Sequence, residues 1–230
     1  MSESSRLFRP IRSFVRREGR LTRGQARALE ELWPRFGLQP GESEINFATE
    51  FNRAASTILE IGFGNGESFA AMAEAHPANN YIGIEVHRPG VGNLLLQLQQ
   101  REIENVRVIC EDASDVLKNN IADQSLDAIY LFFPDPWPKR KHHKRRLVQP
   151  DFVQRLRQKL KVDGVFHMAT DWREYAEHML QVMTAAAGYS NVVGVGAYSP
   201  KPDYRPETKF ERRGLKLGHG VWDLLFQRQS

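Results

Sequence analysis

From Thr57 onward the chain alternates short apolar runs with stretches whose apolar residues recur three or four positions apart. Ile58-Leu59-Glu60-Ile61 reads as a strand. It is followed by Gly62-Phe63-Gly64-Asn65-Gly66, and then by Phe69, Met72, Ala73 and His76 at helical spacing. The cycle repeats with a strand over Tyr81 to Glu85 and a helix from Pro89 to about Gln100, carrying Val91, Leu94, Leu95 and Leu98 on one stripe. Strands are predicted over Val106 to Cys110, Leu126 to Phe132 and Val165 to Ala169, with helices after Asp112, from Pro150 to Leu160 and from about Trp172 to Ala187. Strand and helix in such regular alternation predict a mostly parallel sheet covered on both faces.

The flanks are less regular. Thr22 and Gln25 form a capping-box pattern ahead of Ala26, Leu29, Leu32 and Trp33, a helix that Pro34 is expected to end. Ser43 to Phe51 predicts a second short helix. Val192 to Ala197 and Val221 to Phe226 read as the last two strands, which brings the sheet to seven. Between them Tyr198 to His219 is rich in Pro, Gly, Lys and Arg and follows no period, and so long a loop points to function or disorder. The expected division is a basic, flexible arm with its short helix over residues 1–40 and one folded domain over 41–230.

Composition narrows the setting. With 230 residues, 41% of them hydrophobic, the chain buries a full core in one α/β domain. Cys110 is the single cysteine, which excludes an intrachain disulfide and predicts a reducing, cytoplasmic environment; as the end of an apolar strand it is expected in the core. No apolar run reaches the ~20 residues of a membrane span. No obligate protein partner is evident. The net charge of +4 is unevenly spread: residues 1–35 carry +5, residues 139–146 carry +6, and the rest of the chain is therefore −7. An acidic body with two basic segments suits a partner with a phosphate backbone.

Three glycines in five residues let the backbone approach a nucleoside closely. Their Gly62-x-Gly64-x-Gly66 spacing differs from the G-x-G-x-x-G of dinucleotide sites. Glu60, just ahead of them, sits poorly beside a pyrophosphate and well beside a ligand with a cationic amino group. Glu85, at the second strand's tip, is placed to accept from both ribose hydroxyls, and Asp112, at the third, from an adenine amino group. The bland readings are that Glu85 caps a helix and Asp112 is a turn residue. An acid before Gly-x-Gly-x-Gly, with acids at the next two strand tips, resembles the S-adenosylmethionine-dependent methyltransferases of the doubly wound, Rossmann-like type.

The fourth strand runs into Phe132-Phe133-Pro134-Asp135-Pro136-Trp137-Pro138-Lys139 and then Arg140-Lys141-His142-His143-Lys144-Arg145-Arg146. The prolines fix one carboxylate in a rigid loop beside a cationic run. An ordinary turn with a solvated basic loop is the alternative. His142 and His143 have no second ligand pair at metal-binding spacing, so no metal is expected. This string closely resembles the bacterial tRNA (guanine-N7-)-methyltransferases, and the match continues through Ile82 to Gly90, Met168 to Trp172, Thr208 to Gly214 and Leu217 to Asp223.

The resemblance implies a class I fold and methylation of guanosine N7 in the tRNA variable loop, normally at position 46. It implies donor contacts from Glu60, Gly62, Gly64, Gly66, Glu85 and Asp112, and a catalytic Asp135. Substrate contacts fall on Lys139, Asp171, Thr208, Lys209, Phe210 and Glu211, and RNA contacts on Lys141, His142, His143, Lys144, Arg145 and Arg146. Guanine N7 offers a lone pair, so positioning outweighs general-base chemistry. Asp135, Asp171 and Glu211 are expected to accept from the base's N–H edge, and Trp137 either stacks on the base or packs the loop. Two other classes remain: an NAD-dependent oxidoreductase, against which the glycine spacing counts, and a non-enzymatic RNA-binding module with a vestigial nucleoside pocket.

Overall fold

Seven strands hydrogen-bond into one sheet in the order β3-β2-β1-β4-β5-β7-β6, in a computed structural model that describes residues 19–208, 211 and 220–230. They are β1 (Thr57–Ile61), β2 (Asn80–Ile84), β3 (Val106–Ile109), β4 (Leu126–Phe132), β5 (Leu160–Thr170), β6 (Tyr189–Asn191) and β7 (Trp222–Arg228). The first five pair in parallel; β7 runs antiparallel between β5 and β6. Helices α1 (Arg23–Glu31), α2 (Trp33–Phe36), α3 (Phe47–Glu50), α4 (Glu67–Ala75), α5 (Arg88–Gln100), α6 (Ala113–Asn119), α7 (Pro150–Lys159) and α8 (Arg173–Ala185) complete it, with a 3₁₀ turn at Arg140–Arg145. The doubly wound, mostly parallel sheet expected from the alternation is the fold observed.

Side chains one residue apart on a strand point to opposite faces, and each face has its own core. Leu59, Ile61, Ile82, Ile84, Ile129 and Leu131 enter the core that includes Phe152 and Leu156 of α7 and Tyr175 and Met179 of α8. Ile58, Tyr81, Val106, Val108 and Tyr130 enter the other, which holds Phe69 and Met72 of α4 and Leu94, Leu95 and Leu98 of α5. Strand order reverses between β1 and β4, where open α/β sheets form a crevice at the strands' carboxyl ends.

Several elements differ from expectation. The capping box is complete, Thr22 N donating to Gln25 Oε1 (2.9 Å) and Gln25 N to Thr22 Oγ1 (3.2 Å). Pro34 does not end helicity; it lies in the first turn of α2, where its missing N–H costs nothing. The segment Val192 to Ala197 is not a strand: Gly194 and Gly196 take φ of +104° and +75°, and Asn191 folds the segment into a turn by accepting from Val193 N and donating to Ala197 O. The sixth strand is instead Tyr189–Asn191. β5 begins five residues early, at Leu160, through a register shift against β4 between Leu126 and Ala128. The basic segment before Gly19, and Lys209 and Phe210, lie outside the described residues.

Candidate active site

The strand tips gather the acids at one edge. Glu60, in β1, is 2% exposed and pairs in register with Gly83 on one side and Tyr130 on the other. Among the described residues its Oε2 has no hydrogen-bond partner. Burial, and then the neighbouring Glu85 carboxylate, push Glu60 up to about 8, so at neutral pH it holds a proton.

The glycine loop that follows turns the chain into α4. Gly66 is the N-cap of α4 with φ +78°, and a Cβ there would meet Leu94 Cβ at 2.7 Å. Only glycine meets both demands. Gly90, in the first turn of α5, packs so closely that its Cβ would lie 2.1 Å from Gly64 O. Gly62 and Gly64 face open space, nothing lying within 4 Å of where a Cβ would be.

Glu85 fastens this loop. Its Oε2 accepts from Gly64 N (2.9 Å), and its Oε1 from Val86 N (2.7 Å) and His87 N (2.9 Å). None of these donors belongs to the first turn of α5, whose N-cap His87 makes no side-chain cap bond, so Glu85 ties the loops and does not cap the helix; a carboxylate with about four lone-pair sites retains room for a further donor. Asp112 is the N-cap of α6, Oδ1 accepting from Ser114 N at 2.9 Å. Beside these tips lies a cleft of about 770 Å³ walled by Val86, Pro89, Cys110 and Glu111, and on the far side by Leu29 and Trp33. Cys110 is thus half-buried at a cleft wall, not deep in the core.

On the other side of β1 the loop after β4 bends sharply, Phe133 and Trp137 adopting φ of 50° and 46°. Left-handed backbone at bulky residues costs ~1–3 kcal/mol each, held in place by the surroundings. Asp135 stands exposed between them, Oδ1 accepting from Trp137 N at 3.0 Å. Trp137 is 8% exposed, with the Arg145 guanidinium 4.8 Å over its ring and His142 edge-on, so its role is packing the basic loop.

The cationic run divides in two. Lys139, Arg140, Lys141 and Lys144 are exposed, and His142, His143 and Arg145 are partly so. Arg146 departs from the RNA-facing role: it is 3% exposed, with Nε donating to Pro136 O (2.9 Å), Nη2 to Glu174 Oε1 (3.1 Å) and its guanidinium over Tyr175. It braces the loop from beneath.

Asp171, beyond β5, is partly exposed, and Thr208 half-buried. Glu211 is 4% exposed, and both its oxygens accept from the Arg205 guanidinium, at 2.7 and 3.0 Å. Arg205 sits in the stretch without period, and sequence reasoning passed over it. An Asp at 223 and a His at 167 inside apolar strand runs were the available signal, and both prove buried in contact with one another. Leu29 and Trp33 carried a helical stripe but no sign of a cleft wall. Among the described residues no cluster of His, Cys, Asp or Glu is disposed to hold a metal ion, and no helix is long and apolar enough to cross a membrane.

Comparison with known proteins follows the same lines. A family profile described as "Putative methyltransferase" matches residues 54–224. A tRNA (guanine-N(7)-)-methyltransferase of Alcanivorax borkumensis is 56% identical over 99% of this chain and 95% of its own, and one of Hydrogenovibrio crunogenus is 58% identical over 96% and 92%. Among solved structures, the 16S rRNA methyltransferase KamB superposes with a TM-score of 0.59 over 85% of this chain and 99% of its own, at 12% identity. That likeness concerns the fold.

Proposed function

The chain belongs to the tRNA (guanine-N(7)-)-methyltransferase family, and from that premise we propose that it transfers a methyl group from S-adenosylmethionine to N7 of a guanosine in the tRNA variable loop, in the cytoplasm. The observation that carries the donor side is the buried Glu60 oxygen, without a partner among the described residues, beside an open glycine cradle. A buried polar atom left unpaired costs ~1–3 kcal/mol. A ligand ammonium relieves that cost by displacing the proton and pairing with the resulting carboxylate.

The residues present fit such a donor. Glu60 would hold its amino group, Glu85 its ribose hydroxyls and Asp112 its adenine edge, with the cleft against Trp33 receiving the purine. When bound, the donor supplies a methyl group on a positively charged sulfur. The protein has no proton to remove from N7, so its task is to hold the base. Asp135, pinned through Oδ1 by Trp137 N, presents its carboxylate to the N1–H and N2–H₂ edge, and its charge favours the cationic product. Asp171, beyond β5, is the second acid on the acceptor side. Lys139, Lys141 and Lys144 contact phosphates.

Incubation of unmodified tRNA with donor and protein, followed by chain cleavage at 7-methylguanosine, tests the reading. Cleavage in the variable loop is expected. Its absence overturns the assignment.

A further inference from the structure

Arg205 carries a permanent charge at 1% exposure. Burying a guanidinium costs several kcal/mol unless carboxylates answer its donors. Here two carboxylates answer four of its five N–H groups. Nε and Nη2 donate to Asp223 Oδ1 (2.7 Å) and Oδ2 (2.8 Å), while Nη1 and Nη2 donate to Glu211 Oε2 (2.7 Å) and Oε1 (3.0 Å). Two carboxylates are gripped by one fork, a geometry open to arginine and closed to lysine.

Each carboxylate leads to a different part of the acceptor side. Glu211 forms a capping box with Thr208: Thr208 N donates to Glu211 Oε2 (3.3 Å), and Glu211 N to Thr208 Oγ1 (3.1 Å). Arg205 thereby reaches Thr208 through Glu211. Asp223, on β7, also accepts from His167 Nε2 of β5 at 2.7 Å. Burial, and beyond it the Arg205 charge, keep His167 neutral against the pull of Asp223. Its proton therefore lies on Nε2, leaving Nδ1 to accept from the Tyr204 hydroxyl at 2.9 Å. The Tyr204 ring stacks on Tyr130 (5.4 Å), and Tyr130 on Phe132 (5.3 Å). The guanidinium itself lies 5.9 Å from the Phe132 ring and 5.7 Å from that of Phe133, the residue whose left-handed turn begins the Asp135 loop.

We propose that Arg205 is the positioning residue of the acceptor side: it locks Glu211, with Thr208, and the start of the Asp135 loop to the same β5–β7 floor. The inference rests on the proposed methyl transfer to tRNA. A group displaced by ~1 Å costs on the order of 100-fold in rate when geometry does the catalysis. Arg205 touches none of the donor acids, so its effect belongs to the acceptor alone.

The test uses the full chain as Arg205→Lys, Glu211→Gln and the double variant. Steady-state kcat and KM are measured for an unmodified tRNA transcript, with S-adenosylhomocysteine affinity by calorimetry. Arg205→Lys should lower kcat ~10–100-fold and leave S-adenosylhomocysteine affinity within about twofold. In the Glu211→Gln background the Arg205→Lys change should cost less than it does in the parent, since the part it exerts through Glu211 is already lost. The inference is overturned if kcat stays within about twofold of the parent, if S-adenosylhomocysteine affinity falls in step with kcat, or if the two changes multiply. Should Arg205→Lys not fold, Glu211→Gln keeps the Arg205–Asp223 fork and carries the kcat comparison alone. A parent protein that leaves tRNA unmethylated refutes the proposed function instead, before any variant is compared.

Discussion

Replacing Glu60 with Gln tests the donor site through stability as well as activity. A carboxyl moved from 4.5 to about 8 by folding keeps its proton where the unfolded chain has lost it. Above pH 4.5 the unfolded state binds fewer protons than the folded one, so stability falls as pH rises and levels off once pH passes about 8. At about 1.4 kcal/mol per pH unit, the interval from 4.5 to 7 amounts to about 3 kcal/mol of destabilisation in the ligand-free protein. Gln does not titrate and is spared that loss. For a chain of this size each kcal/mol moves Tm by about 2–4 °C. The Tm of Glu60→Gln relative to the parent should therefore climb by about 5–10 °C between pH 5 and pH 7.

Ligand binding reports the same group from the other side. An ammonium bonded to Glu60 requires the carboxylate, so binding of S-adenosylhomocysteine at pH 7 should expel close to one proton from the protein. Calorimetry in buffers of different ionisation enthalpy reads this as a slope. Glu60→Gln should remove the slope and weaken affinity by ~10–100-fold, the worth of a hydrogen bond to a charged group. Parallel Tm curves across pH, or a parent protein that releases no proton on binding, would refute the argument that Glu60 is the ammonium's partner.

Asp135→Ala should abolish turnover while S-adenosylhomocysteine affinity stays nearly intact; equal losses in both would contradict an acceptor-side role. Changing Lys139, Lys141 and Lys144 together to Ala should weaken tRNA binding and reduce the slope of log affinity against log salt by up to ~3, at ~0.9 or less per phosphate contact. An unchanged slope would return these lysines to solvent. Arg146→Ala should act on stability: it empties the space over Tyr175 and strips Pro136 O of its donor, for ~2–4 kcal/mol and a Tm lower by roughly 5–10 °C. Retained Tm with a lower salt slope would show that Arg146 faces RNA after all.

Much of this architecture is legible in the residues because local chemistry and the fold agree. Thr22 and Gln25 announce their capping box, and the acids at positions 60, 85 and 112 fall at strand tips because each apolar run ends just before or beside them. What escapes is set by partners distant in sequence. Nothing near Arg146 distinguishes it from Lys144, since its inward turn depends on Pro136, Glu174 and Tyr175. Glu211 looks like a free acceptor until Arg205 and Asp223 are brought together by β7. Val192 to Ala197 has the composition of a strand, yet two left-handed glycines and the Asn191 side chain decide for a turn.

The place of β7 also bears on the order in which a newly made chain comes together. Glu60 lies on β1 and Glu85 and Asp112 just past β2 and β3, while Asp223 belongs to β7, which alone joins β6 to the sheet. At translation rates of ~5–20 residues per second, Asp223 follows Asp112 by on the order of ten seconds. The donor edge has all its acids from the start of that interval; β5, once made, presents an unpaired edge, the kind of surface on which neighbouring chains add strands, and Arg205, made near the interval's end, waits only for its second carboxylate. Insertion of β7 closes that edge and supplies the acid of the acceptor floor in a single event.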